Sequence, residues 1–80
     1  MDNTPLLEES QKLRKDIEQV KESVQSMLFV LKDPQRQTVE GEDKGEQIAN
    51  AMLAFRHLED AKMRIGKVIQ ATVGKSVYDK

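Results

Sequence analysis

The 80-residue chain has no cysteine, no tryptophan, two prolines and one histidine. Each scarcity excludes something. Without cysteine there are no disulfide staples and no thiol nucleophile. With one histidine and no cysteine, a zinc site of the usual all-protein kind is ruled out. No apolar stretch reaches the roughly 18 residues of a transmembrane helix. The acidic start Met1-Asp2-Asn3 is not that of a signal peptide. The expectation is a soluble, cytosolic protein without membrane contact. A net charge of −1 argues against a general DNA or RNA binder. No glycine-rich phosphate loop is present, since Gly74-Lys75-Ser76 matches only the end of that motif and no strand precedes it. His57-Leu58-Glu59-Asp60 does not make an acid–base cluster. Neighbours on a helix point about 100° apart, so His57 reads as a boundary residue. No catalytic constellation and no cofactor site emerge.

What the chain does have is charge, helix formers and two long periodic segments. So short a chain is marginal alone, and self-association is the route to stability left open. The charge is uneven. Residues 1–44 hold 7 Lys or Arg against 10 Asp or Glu, and residues 45–80 hold 6 against 4. An anionic ligand belongs with the second half.

The expected fold is all-α: an antiparallel helical hairpin of two long helices that assembles into a helical oligomer. The expected layout is one domain over 1–80, with a helix at about 4–32, a loop at 33–45, a helix at about 46–72 and a tail at 73–80. Helix one starts at Thr4-Pro5, with threonine as the cap and proline in the first turn, where its missing N–H is harmless. Glu8 and Glu9 then suit the macrodipole. The spacing of Leu6, Leu13, Ile17, Val20, Val24, Met27 and Leu31, with Ser10 filling a gap, is a heptad seam. Asp33-Pro34 ends the helix. Met27-Leu28-Phe29-Val30-Leu31 is apolar on every side, which predicts burial against another subunit. The connector, DPQRQTVEGEDKG, reads as a mobile solvated loop. In helix two, Ala51, Ala54, Leu58, Ala61, Ile65, Val68 and Ile69 share a face that should pack on the first helix. Met52, Leu53 and Met63 fall off that stripe and ask for a second buried surface. Arg56, Arg64 and Lys67 lie on the far side. On composition alone they form a solvated face paired with Glu59 and Asp60. Phe29 and Phe55 read as core or interface, and Tyr78 in the tail as the aromatic freest to stack on a base.

The segment Arg56-His57-Leu58-Glu59-Asp60-Ala61-Lys62-Met63, followed by Gly66-Lys67-Val68-Ile69, resembles the phage anti-CBASS sponges. Their helix carries Thr/Arg-His-Leu-Glu-x-Ala-x-Met, then a small residue, lysine and an apolar pair. The likeness covers about a fifth of the chain. The chain departs at Met63-Arg64-Ile65, where many relatives have Met followed by Trp and Ala. The resemblance implies small helical protomers in a compact hexamer that sequesters cyclic di- or trinucleotides without cleaving them. It places the protein in the cytoplasm of an infected bacterial host, blocking CBASS immunity. Phosphates need cations and purines need flat faces. Under that resemblance Arg56, Arg64, Lys67 and Tyr78 are the expected ligand-binding residues, with no catalytic residue and no metal. The competing expectation is a structural helical oligomer or adaptor of phage origin with no small-molecule ligand. A third is a regulator that adds a partner helix at Met27–Leu31.

Overall fold

The computed structural model describes residues 3–73. It holds two helices, α1 (Thr4–Lys32) and α2 (Lys44–Val73), folded back on each other as a hairpin 58 Å long and 23 by 18 Å in section. No helix among the described residues is long and apolar enough to cross a membrane.

The cap of α1 is Asn3, not Thr4. The Asn3 carbonyl accepts the first helical bond from the Leu7 N–H at 3.0 Å, and its side-chain amide reaches the Thr72 carbonyl of α2 at 3.5 Å. Thr4 and Pro5 therefore open the helix itself, with proline in the first turn as expected. That turn carries no acid; Glu8 and Glu9 sit one turn further in, where the end of the macrodipole has faded. At the other end Asp33 is extended before Pro34, and its N–H bonds the Val30 carbonyl at 3.2 Å. Lys32 in the last turn complements the dipole.

The connector is shorter than expected, running 33–43, and it is internally tied. The Asp33 carboxylate accepts from the Gln35 N–H at 2.9 Å, while the Asp33 carbonyl accepts from the Arg36 N–H at 3.1 Å. Gly41 has φ +93, a conformation that other residues rarely take, and it lets the chain turn between Val39 and Glu42. The second helix begins at Lys44 because Asp43 caps it. The Asp43 carboxylate accepts from the Glu46 N–H at 3.0 Å, which carries the helix through Gly45. It continues to Val73, one residue past the expected end.

The packing corrects the seam of α1. The line facing α2 is Leu7, Ser10, Arg14, Ile17, Lys21, Val24, Leu28 and Leu31, all buried or half-buried. The expected seam shares only Ser10, Ile17, Val24 and Leu31 with it. Its other members stand out in solvent: Leu6 at 50%, Leu13 at 40%, Val20 at 49% and Met27 at 48%. Two heptad lines thus lie side by side on one helix. The inner one holds Arg14 and Lys21, which hid it from a purely apolar reading.

The two cations differ: Lys21 is paired, whereas the Arg14 Nε is buried without a hydrogen-bond partner among the described residues. Arg14 lies over Gly66, where a Cβ would stand 3.8 Å from its guanidinium carbon. Lys21, 14% exposed, pairs with Glu18 at 3.4 Å and Glu59 at 3.7 Å, and Lys62 reaches Glu18 at 3.3 Å. Lys62 and, after it, Lys21 hold the Glu18 carboxyl below its usual range, against partial desolvation. On α2 the expected face largely turns inward. Ala51 and Ile69 are buried, and Ala54, Leu58, Ala61 and Ile65 are half-buried, while Val68 remains exposed. The core is small: Val24, Leu31, Ala51 and Ile69, with the buried Ser10 beside them.

Candidate functional site

Where the C-terminal third of α1 crosses the first half of α2, the helices leave a groove of about 340 Å³. Gln25, Leu28 and Lys32 line it from α1, and Met52, Phe55, Arg56 and Glu59 from α2. The spacing explains the lining. Gln25 and Lys32 are one heptad apart with Leu28 between them, so all three share one flank of α1. Met52, Phe55, Arg56 and Glu59 follow the i, i+3, i+4, i+7 pattern of a single helix face.

The groove is chemically divided. Leu28, Met52 and Phe55 offer an apolar surface with one flat ring. Lys32 and Arg56 supply positive charge, are exposed, and form no ion pair with any described residue. Behind the groove, Lys21 Nζ stands 5.1 Å from the centre of the Phe55 ring, within cation–π range. Its contact with Glu59 partly offsets the one negative charge in the lining. Gln25 adds an amide that both donates and accepts. A cleft with an apolar floor and a few converging polar groups is the usual form of a small-molecule site, and 340 Å³ lies at the small end of the range.

Of the expected site residues, only Arg56 reaches this groove. Arg64 and Lys67 are exposed on α2 but lie about 12 and 16 Å further along its axis, at 1.5 Å per residue. They do not converge with Arg56 on one small ligand within a single chain. None of the three forms an ion pair with Glu59 or Asp60 among the described residues; Glu59 instead meets Lys21. Tyr78 lies outside the described residues. His57 is exposed, and no group of three or more His, Asp or Glu able to hold a metal occurs among the described residues. Met52 lines the groove yet is 41% exposed, and Leu53 and Met63 are exposed as well, so the single hairpin buries none of the three. Phe55 is half-buried; Phe29, by contrast, is 80% exposed.

Sequence reasoning missed Lys32, Gln25 and Leu28. The signal existed, but only once the helices were set in antiparallel register. The pairs Glu18–Lys62 and Lys21–Glu59 span the helices in that register. It brings the last turns of α1 level with Met52 and Arg56. No family model, characterised protein or solved structure matches this chain.

Proposed function

We propose that this chain is a non-catalytic, homo-oligomeric binding protein that sequesters cyclic oligonucleotide second messengers and thereby blocks CBASS immunity in an infected bacterial cytoplasm. The groove carries this reading. A cyclic nucleotide presents phosphate charge and purine faces together. Lys32 and Arg56 are cations without partners among the described residues, beside the flat and apolar surfaces of Phe55, Leu28 and Met52. The Glu59 carboxylate and Gln25 amide suit the amino and ring-nitrogen groups of a base edge. The resemblance of the Arg56–Ile69 segment to the anti-CBASS sponges points to the same ligand class.

The size of the groove bears on assembly. At about 340 Å³ it takes roughly one nucleotide unit, so a whole cyclic dinucleotide calls for grooves from two copies. A two-fold ligand on a two-fold axis meets the same side chains twice, and few residues per chain suffice. Among the described residues, no hydroxyl or thiol side chain lines the groove, and the ligand should leave intact.

The test is a thermal-shift screen of the full chain with cyclic di- and trinucleotides, followed by calorimetry. Arg56→Ala and Lys32→Ala should each weaken binding about tenfold or more, the usual loss of a charge-assisted contact of roughly 1.5–3 kcal/mol. Lys67→Ala should bind like the parent, and Tyr78→Ala tests the expected stacking role. Ligand released by heat should elute unchanged in chromatography. The second reading, a structural oligomer or adaptor without a ligand, draws on the exposed apolar line of α1. It expects no shift with any of these nucleotides.

A further inference from the structure

The inner face of α1 uses one heptad line, and the second line remains open. Leu6, Leu13, Val20 and Met27 recur every seven residues over about 32 Å of helix. Four apolar members at seven-residue spacing, three intervals in all, make one continuous ridge along which a second helix of similar length can lie. It is not what a scattered solvent-facing surface shows.

The pattern also specifies the occupant. An evenly spaced line matches its own reverse, so it suits a second copy of itself in a two-fold pair. Its four members and the adjoining Val30 are each 40–55% exposed, a contiguous apolar strip of the kind that marks an interaction surface.

Charge then chooses the direction. Three residues beyond each member of the line stand Glu9, Asp16, Ser23 and Val30. This flank is acidic toward the N-terminus and neutral toward the C-terminus. Parallel pairing in register sets Glu9 against Glu9 and Asp16 against Asp16. Antiparallel pairing lays the acidic half of one helix along the Ser23–Val30 half of the other. Only Asp16 then meets its copy, close to the axis, and there Lys12 of the same chain already holds it at 2.9 Å.

We infer that α1 pairs antiparallel with α1 of a second copy, setting Leu13 of one chain against Val20 of the other and Leu6 against Met27. The inference rests on the homo-oligomeric part of the function proposed above and not on its ligand.

The absence of native cysteine makes the test clean. Leu13→Cys and Val20→Cys are made singly in the full chain, mixed and oxidised mildly. Covalent dimers are then read by intact mass. The antiparallel pair brings positions 13 and 20 of different chains within disulfide reach, a Cα separation under about 7 Å. Like positions stay about 10 Å apart along the axis. The mixture should therefore give chiefly the mixed dimer, at least fivefold over either homodimer. Each variant alone, and a Lys15→Cys control on the outer face, should stay largely monomeric under denaturing conditions. Self-linking of both single variants overturns the direction. No cross-link in any combination overturns the face, whether scattering then finds the parent monomeric or assembled otherwise. A thermal shift with cyclic nucleotide is read on the same samples. Loss of the cross-link without loss of the shift sinks this interface alone, and the converse sinks the ligand alone.

Discussion

Glu42 is the residue on which the connector depends. Its carboxylate accepts from the Gln47 side-chain amide at 3.0 Å, from the Val39 N–H and from Arg36 Nη2 at 2.6 Å. These donors, led by Gln47, lower its pKa from 4.5 to about 2. A carboxyl depressed on folding stabilises the fold above its unfolded pKa, and the effect is lost as pH falls toward the folded value. Glu42→Gln should therefore be less stable than the parent at pH 6–7. The gap between them should close between about pH 4.5 and pH 2. Urea melts of both proteins across that range check it, and a pH-independent gap contradicts the assignment. Gly66 makes the opposite case. It sits inside α2, where glycine weakens a helix, and an added Cβ meets Arg14 only at 3.8 Å, an ordinary contact. Gly66→Ala should raise unfolding free energy by about 0.5–1 kcal/mol, read from the midpoint shift in denaturant. A loss of stability would mean that Arg14 needs more room than the geometry indicates.

Each helix is set by its ends and by a choice between competing lines. Asp43 and Glu46 together form the start signal of α2, an acid at the cap with a glutamate three residues on. The signal is legible in the sequence, yet Gly45 between them reads as loop and masks it. Asp43→Ala removes the acceptor for the Glu46 N–H and should cost about 0.5–2 kcal/mol. Circular dichroism should show a loss confined to the first turn, and Asp43→Ser should recover most of it. The two-helix plan and the stop at Asp33-Pro34 follow from the sequence because proline and periodicity act locally. The facing seam does not. Apolar residues alone join Ser10, Ile17, Val24 and Leu31 to the Leu6–Met27 line, whereas the hairpin joins them to Leu7, Arg14, Lys21 and Leu28. Lys21 becomes tolerable through Glu18, Glu59 and Phe55, two of them on the opposite helix, while Arg14 lies against Gly66 of that helix. Helix-wheel reasoning on α1 alone has no access to them. The groove was hidden for the same reason. Arg56 was visible as a cation, while Lys32 became its neighbour only through the register of the hairpin.

At the scale of the molecule, burial is distributed the wrong way round for a chain that stands alone. The interface between α1 and α2 contains Ser10, Arg14 and Lys21, and its core is limited to Val24, Leu31, Ala51 and Ile69. No large side chain is fully enclosed among the described residues. Meanwhile Leu6, Leu13, Val20 and Met27 face outward on one flank of α1, and Phe29, Leu53 and Met63 stand exposed away from that line. A pair of copies joined along the first line leaves the other three for further contacts, which fits an assembly larger than a dimer. A single hairpin of this size with so little core should be only marginally stable on its own. Folding should then be coupled to association, and mass action makes the prediction quantitative. For a coupled dimer or larger assembly, raising the protein concentration favours the folded state. Thermal unfolding followed by circular dichroism should move upward by several degrees between about 1 and 100 μM chain, the shift expected when roughly 1–3 kcal/mol of association free energy enters a domain this small. Val20→Lys sets a charge in the middle of the outward line and should lower the melting temperature at every concentration. The greatest loss is expected at the dilute end. A melting temperature that stays constant over that hundredfold range, in a protein that scatters as a 9.1 kDa particle, would show that the hairpin is self-sufficient and that its outward apolar line has no such role.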